Sequence, residues 1–452
     1  MLAALALAGA LFALGPGPAH AATTFTVNST GDGPDSDTTD DACEVASLPP
    51  SGECTLRAAI EQANATSGAD TIDFNIPGTL GVKTISPTTR LPNITDQVTI
   101  NGYTQPGASP NTLAQGNNAT LFIELNGGAI PRGQFIWSDG LLIRGSVSGS
   151  VVKGLVINGF EASGIRVGAD GFSSNPSLPG TVIQGNFIGT DPAGSVDMGN
   201  GIDGVSSFVS NNTIGGAAPA DRNVISGNGV AGVTISAVSP AGNGVGARNK
   251  IQGNYIGTDA TGTGPLGNSG NGVAVFTPNN MVGGLMLSEG NGISFNGLDG
   301  VAVAPGAANT GNAILANSIY ANNGLGIDLD TDGVNLNDLG DGDAGANNLQ
   351  NFPVLTRVST PSRGKTAIKG ELDSTPDTIF DVQFFANPKG TDEGKTLVGR
   401  RDVSTGTDGK ASFAFKLTKK VPRGQAITAT ATDFNSGDTS EFSAPRKVVR
   451  QR

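Results

Sequence analysis

The sequence predicts an all-β protein: a right-handed parallel β-helix with an N-terminal capping segment, followed by a C-terminal β-sandwich of roughly immunoglobulin size. Three observations predict it. The chain repeats itself at an offset of 68 residues, short apolar strands recur inside the repeat at steps of 40 and 28, and beyond residue 353 texture and charge both change.

The repeat is gapless over IQGNFIGTDPAGSVDMGNGIDGVSSFVSNNTIGG from Ile183 and IQGNYIGTDATGTGPLGNSGNGVAVFTPNNMVGG from Ile251. RNVISGNGVAGVTIS from Arg222 aligns with GNGISFNGLDGVAVA from Gly290 and, upstream, with LVINGFEASGIRVG from Leu155. Short Gly-(Val/Ile)-x strands begin at Ile165, Val205, Val233, Val273 and Val301, so one repeat is two coils. Each coil holds further short strands, such as those at Ile251 and Tyr255-Ile256, separated by Asn and Gly. Period-2 apolar residues with Asn-Gly corners describe stacked β-coils, and helical periodicity is absent from them. The longer coils carry extra residues at Thr190 to Gly199 and Thr258 to Gly267, predicted to protrude from one face two coils apart, ~10 Å at ~4.8 Å per coil. Counting back through Ile143 and Val98 and forward to Ile327 predicts about eight coils and a rod of ~40 Å. Its ends need closing, because an open coil exposes unpaired backbone and apolar core.

At the front, TLRAAIEQANA (Thr55 to Ala65) places Leu56, Ala59, Ile60 and Ala63 on one stripe behind a Thr55 N-cap, which predicts a short amphipathic helix over the first coil. Ahead of it, MLAALALAGALFALGPGPAHA has an apolar run, Gly-Pro breakers and a small-x-small pattern at Ala19-His20-Ala21, and predicts export with a mature chain from about Ala22. No later stretch approaches the length of a membrane span. In an oxidising compartment the two cysteines, Cys43 and Cys54, are expected to pair. The one histidine, His20, leaves with the signal, which excludes Ser-His-Asp and Cys-His catalysis and histidine-bound zinc.

Residues 1–355 carry a net charge of −18 and residues 356–452 a net charge of +6, together the chain's −12. Nucleic acid is disfavoured as a partner of the long acidic part, which repels phosphate. The texture after NNLQNFPVL is alternating: TAIKGEL, IFDVQFFA, TLVGRRDV, ASFAFKL, QAITATAT and SEFSA predict the strands of the sandwich. Its positive charge and its tail, Arg446 to Arg452, fit docking to an acidic wall polymer or to the acidic rod, or simply lysines in water on an ordinary sandwich.

TFTVNSTGDGPD, Cys54-Thr55-Leu56-Arg57-Ala58-Ala59, GADTIDFNIPG, the GNxIGTD and RNVISGN coils, NGYTQPGASPNT and NNLQNFPVL together resemble the CSLREA-domain β-helix proteins secreted by bacteria. The resemblance spans nearly the whole mature chain, with the signature changed at its second and fifth positions. It implies a pectin-lyase-like right-handed β-helix outside the cell or at its surface. It implies little about activity, since the fold hosts enzymes and non-enzymes. The expected divisions are a signal peptide over 1–21, a CSLREA-like cap over 22–97, the β-helix over 98–330, an acidic junction over 331–353, the sandwich over 354–445 and a basic tail over 446–452.

GIDLDTDGVNLNDLGDGDAG, from Gly326, holds Asp328, Asp330, Asp332, Asp338, Asp341 and Asp343 without a basic residue. Asp328, Asp330, Asp332 and Gly333 match the start of a calcium loop, but the position of the closing bidentate Glu is Leu339; Asp338, Asp341 or Asp343 is expected to substitute, giving a structural calcium site against the alternative of a solvated acidic cap. The segment Gly31 to Asp41 reads as a mobile acidic loop. For lyase chemistry the basic candidates are Arg144 and Arg166, 22 residues apart and expected on neighbouring rungs near Lys153, with Glu161 or Asp139 as the bland ion-pair partner. For glycoside hydrolysis the candidates are Asp191 and Asp259, equivalent positions of the protruding loops, whose Thr-Asp-Gly composition is also good turn chemistry. No aromatic platform is evident, Trp137 being the sole tryptophan. The expectation is therefore a secreted or surface scaffold that binds polysaccharide or a cell-wall polymer without catalysis, the alternative being a polysaccharide lyase or glycoside hydrolase on the same rod.

Overall fold

Each coil contributes up to three short strands, and the strands of successive coils stack in register. The computed structural model describes residues 22–46, 52–133, 138–145, 147–168, 179–237, 246–361 and 364–450. The expected signal peptide and Trp137 lie outside the described residues. Three all-parallel sheets of nine, eight and seven strands form a right-handed parallel β-helix, the hand that right-twisted parallel strands impose on their crossovers. The first sheet begins at Thr24–Val27 and Asp70–Phe74 and ends at Ala313–Leu315; the second runs from Lys83–Ile85 to Ser318–Tyr320; the third runs from Leu141–Ile143 to Ile327–Leu329.

The alternation read in the sequence becomes continuous apolar columns inside the coil. On the first sheet Ile72, Ile100, Val152, Ile183, Ile214, Ile251, Val282 and Ile314 pair in series. The third sheet stacks Ile165, Val205, Val233, Val273 and Val301, the strand starts that the 40 and 28 steps mark, and then Ile327 after a step of 26. All are buried, and each contributes about 1.5–3 kcal/mol of burial.

The Asn-Gly corners do more than turn the chain. Asn186, Asn223, Asn254, Asn291 and Asn317 form a buried ladder, each Nδ2 donating to the next Oδ1. Asn200, Asn228, Asn268, Asn296 and Asn322 form a second, and Asn212, Asn249, Asn280, Asn312 and Asn347 line the third corner, where each backbone N–H donates to the next Oδ1. A buried primary amide needs both donors and acceptors, and here an identical neighbour one coil away together with a backbone carbonyl supplies them. At these corners glycine is required: Gly257 has φ +85°, and a Cβ there would strike the Ser294 carbonyl of the next coil.

The front of the rod is closed by the helix Leu56–Ala65, whose Thr55 Oγ1 accepts from Ala58 N and whose buried stripe packs on the first coils. The Cys43–Cys54 disulfide lies just before it. The segment Gly31 to Asp41, read as a mobile loop, is instead held: Asp32 accepts from the buried Arg57 at 2.7 Å and from Thr88 N, because the Arg57 guanidinium under the helix requires a counter-charge.

Past the rod, two antiparallel-cored sheets of four strands each form a β-sandwich around Leu355, Val358, Ile368, Phe380, Val382, Phe384 and Ile427. Arg446–Lys447 and Val449–Arg450 are edge strands, one in each sheet, with Val448 buried at the crossing between them. SEFSA forms no ladder strand of its own, although Ser440 N and Ser443 N donate to Ala431 O and Ala429 O. The sandwich closes the far end of the rod. Gly394 exchanges two backbone hydrogen bonds with Ile319, Gln383 accepts from Ala316 N, and Glu393 receives Ala321 N, Asn322 N and Asn322 Nδ2, ending the second asparagine ladder.

Candidate functional site

The acidic segment lies at this seam, and its carboxylates divide into separate groups. Asp338, Asp341 and Asp343 converge, with one oxygen of each within 4.8 Å of the others. Asp341 accepts from Asn351 N and Ser374 Oγ, both at 2.7 Å; burial first, then the charges of Asp338 and Asp343, push its carboxyl up to about 6. Asp343 is pushed up by burial and then by the charges of Asp338 and Asp330. Hard oxygen donors that repel one another and are partly desolvated match what a calcium ion requires, with backbone carbonyls and water to complete its shell.

The DxDxDG pattern itself does not converge. Asp328, on the last strand of the third sheet, is buried with an Oδ1 that meets no donor; burial and then Asp299 push it up to about 6. Asp330, at φ +60°, turns back to accept from Ala346 N at 2.8 Å and from Gly306 N. Asp332 stands near Asp328 and Glu441. Sequence reasoning missed Glu441, a sandwich residue that accepts from Leu329 N and Asn335 N across the seam, and which burial pushes up to about 7. Its distance in sequence from the acidic segment left no local signal.

The candidates for catalysis have structural partners. The Asp191 Oδ1 accepts from Ser195 N and Val196 N, and the Asp259 Oδ1 from Thr261 N, Thr261 Oγ1 and Gly264 N, so both staple their own turns. Those hydrogen bonds hold Asp259 below the usual carboxylate range. The two loops share a face as expected, yet they do not stand apart as a ridge: Ala260 N donates to Gly194 O, and Ala260 packs in a cluster with Phe187 and Val224.

Arg144 and Arg166 fall at neighbouring rungs as expected, but they do not stand opposite one another. The inward Leu141 and Ile143 set the register against Ile165 and Val167, which places Arg166 opposite Leu142 and leaves Arg144 past its strand, where its N–H donates to Ile94 O. Lys153 belongs to the first sheet, between Asn101 and Gln184, and not beside Arg166. Arg166 makes a buried ion pair with Asp139 at 2.9 Å, one of the two partners anticipated; Glu161 accepts from Gly133 N instead. Burial nonetheless raises Asp139 despite that guanidinium.

No protein-family model matches the chain, and no curated protein does. Among solved structures, full-length tailspike protein 2 from the Escherichia coli O157:H7 bacteriophage CAB120 is similar, at 10% identity and a TM-score of 0.24, over 86% of this chain and 65% of its own. The chain therefore spans less than two thirds of that protein's length. Among the described residues no helix is long and apolar enough to cross a membrane.

Proposed function

We propose that the chain is an exported β-helix scaffold that binds polysaccharide without turning it over, related to the secreted CSLREA-type proteins it resembles, and steadied by calcium at Asp338, Asp341 and Asp343. The observation that supports the non-catalytic reading is the structural engagement of these candidates: Asp191 and Asp259 each hold their own turn through Oδ1, and Arg166 is paired with Asp139. A general acid or base must be free to reach a substrate proton, and a nucleophile to reach its carbon. Binding to a linear polymer is supported by the rod itself, since stacked repeats present the same polar positions coil after coil along an extended surface. The calcium reading rests on the convergence and desolvation of the three carboxylates.

The test is a glycan array run on the mature protein with calcium and with chelator, alongside assays for unsaturated uronate ends and new reducing ends from pectic and alginate-type polymers. Retained glycan is expected without turnover. Turnover that disappears in Arg166→Ala or Asp259→Ala would establish the lyase or hydrolase alternative instead.

A further inference from the structure

We infer that the sandwich carries a docking site for a carboxylate-bearing polysaccharide, built by Arg357, Arg446 and Lys447 around a cavity of about 320 Å³. The inference rests on the polysaccharide-binding reading above and places the contact on the sandwich rather than along the rod. Val358, Pro445 and Val449 complete the lining, in which, among the described residues, no carboxylate side chain takes part. Arg357, Arg446 and Lys447 are exposed, and among the described residues none makes an ion pair.

Three cations lining one cavity, with no ion pair among the described residues, repel each other, and an anion bound among them removes the repulsion. The strands that carry the site are anchored in both sheets: Lys447 pairs with Ala426, Val449 with Ser359, and Val448 between them is buried and donates to Gln425 O. Guanidinium groups present forked donors that match a planar carboxylate, while Pro445 and Val449 give an apolar wall against which the C–H face of a sugar ring can lie. The acidic rod repels polyanions at long range, so attraction at this site must be local and fall as salt is raised.

The test measures binding of the mature protein to polygalacturonate, neutral dextran and single-stranded DNA. Arg446→Ala/Lys447→Ala is expected to weaken polygalacturonate binding about tenfold or more, and Arg357→Ala to weaken it several-fold. Lys389→Ala, a single-charge loss like that of Arg357→Ala but outside the cavity, is expected to change it less than about twofold. Circular dichroism melts establish that the variants fold. Wild-type binding in the double variant, an equal loss in Lys389→Ala, or DNA binding at least as tight as polygalacturonate overturns the inference while leaving polysaccharide binding in place. A wild type that binds neither polysaccharide overturns both.

Discussion

The rod and the sandwich satisfy their buried polar groups in opposite ways. In the rod the laddered buried amides meet their own copies one coil away, as Asn254 meets Asn223 and Asn291. In the sandwich buried amides bond groups of another kind: Asn387 bonds Thr428 Oγ1 and Glu393 O, and Gln383 bonds Asp381. Self-pairing can propagate indefinitely but cannot end itself. The last coil is finished by residues of another kind, Gln383, Glu393 and Thr439, so the sandwich is also the rod's cap.

The largest effect that sharpens this contrast is removal of the cap. A chain ending at residue 353 leaves Ala316, Ile319 and Asn322 without their partners, and is expected to aggregate or to melt at least about 10 °C lower. An unchanged rod melt would break the comparison. Next, Arg166→Ala strands the buried Asp139 and is expected to cost about 3–5 kcal/mol in chemical denaturation. Asn254→Ala breaks a ladder in mid-rod, removing the acceptor of Asn223 N and Nδ2 and the side-chain donor to Ile214 O and Asn291 Oδ1, for about 2–3 kcal/mol. If it matched an exposed substitution, the ladder would be ornament.

The seam is expected to respond more gently. Asp341 and Glu441 have folded values raised above their unfolded ones, so in chelator the fold prefers their protonated forms. Stability should then be highest near pH 4 to 5 and fall as pH rises through about 6 and 7. Calcium needs ionised carboxylates, so its stabilisation should appear above about pH 6 and vanish in Asp341→Asn/Asp343→Asn. Melts across pH with and without calcium read both. Least of all, Asp259→Asn should cost under about 1 kcal/mol, since it weakens only an exposed turn.

The strand starts of the third sheet, the front helix with its Thr55 cap and the sandwich were legible because each writes a local period or cap. The recurrence of Asn at one phase of the repeat also held the ladders in view, as Asn186 and Asn254 or Asn228 and Asn296 show, yet it read as turn composition because an amide's partner is invisible from one coil. The Arg144 and Arg166 pairing failed for a similar reason. A 22-residue spacing resembles a coil, but the inward side chains fix a 24-residue register there.

The sequence by itself determined the coil, its repeat, its apolar columns and the charge contrast between rod and sandwich, because periodicity and composition act through neighbours a fixed distance apart. The tertiary structure alone decided which acids share a site, that Glu441 and Glu393 close the seam, and that Arg357 meets Arg446 and Lys447 around one cavity. Those meetings depend on how the sandwich docks on the last coil and how its edge strands cross, and no period along the chain encodes either.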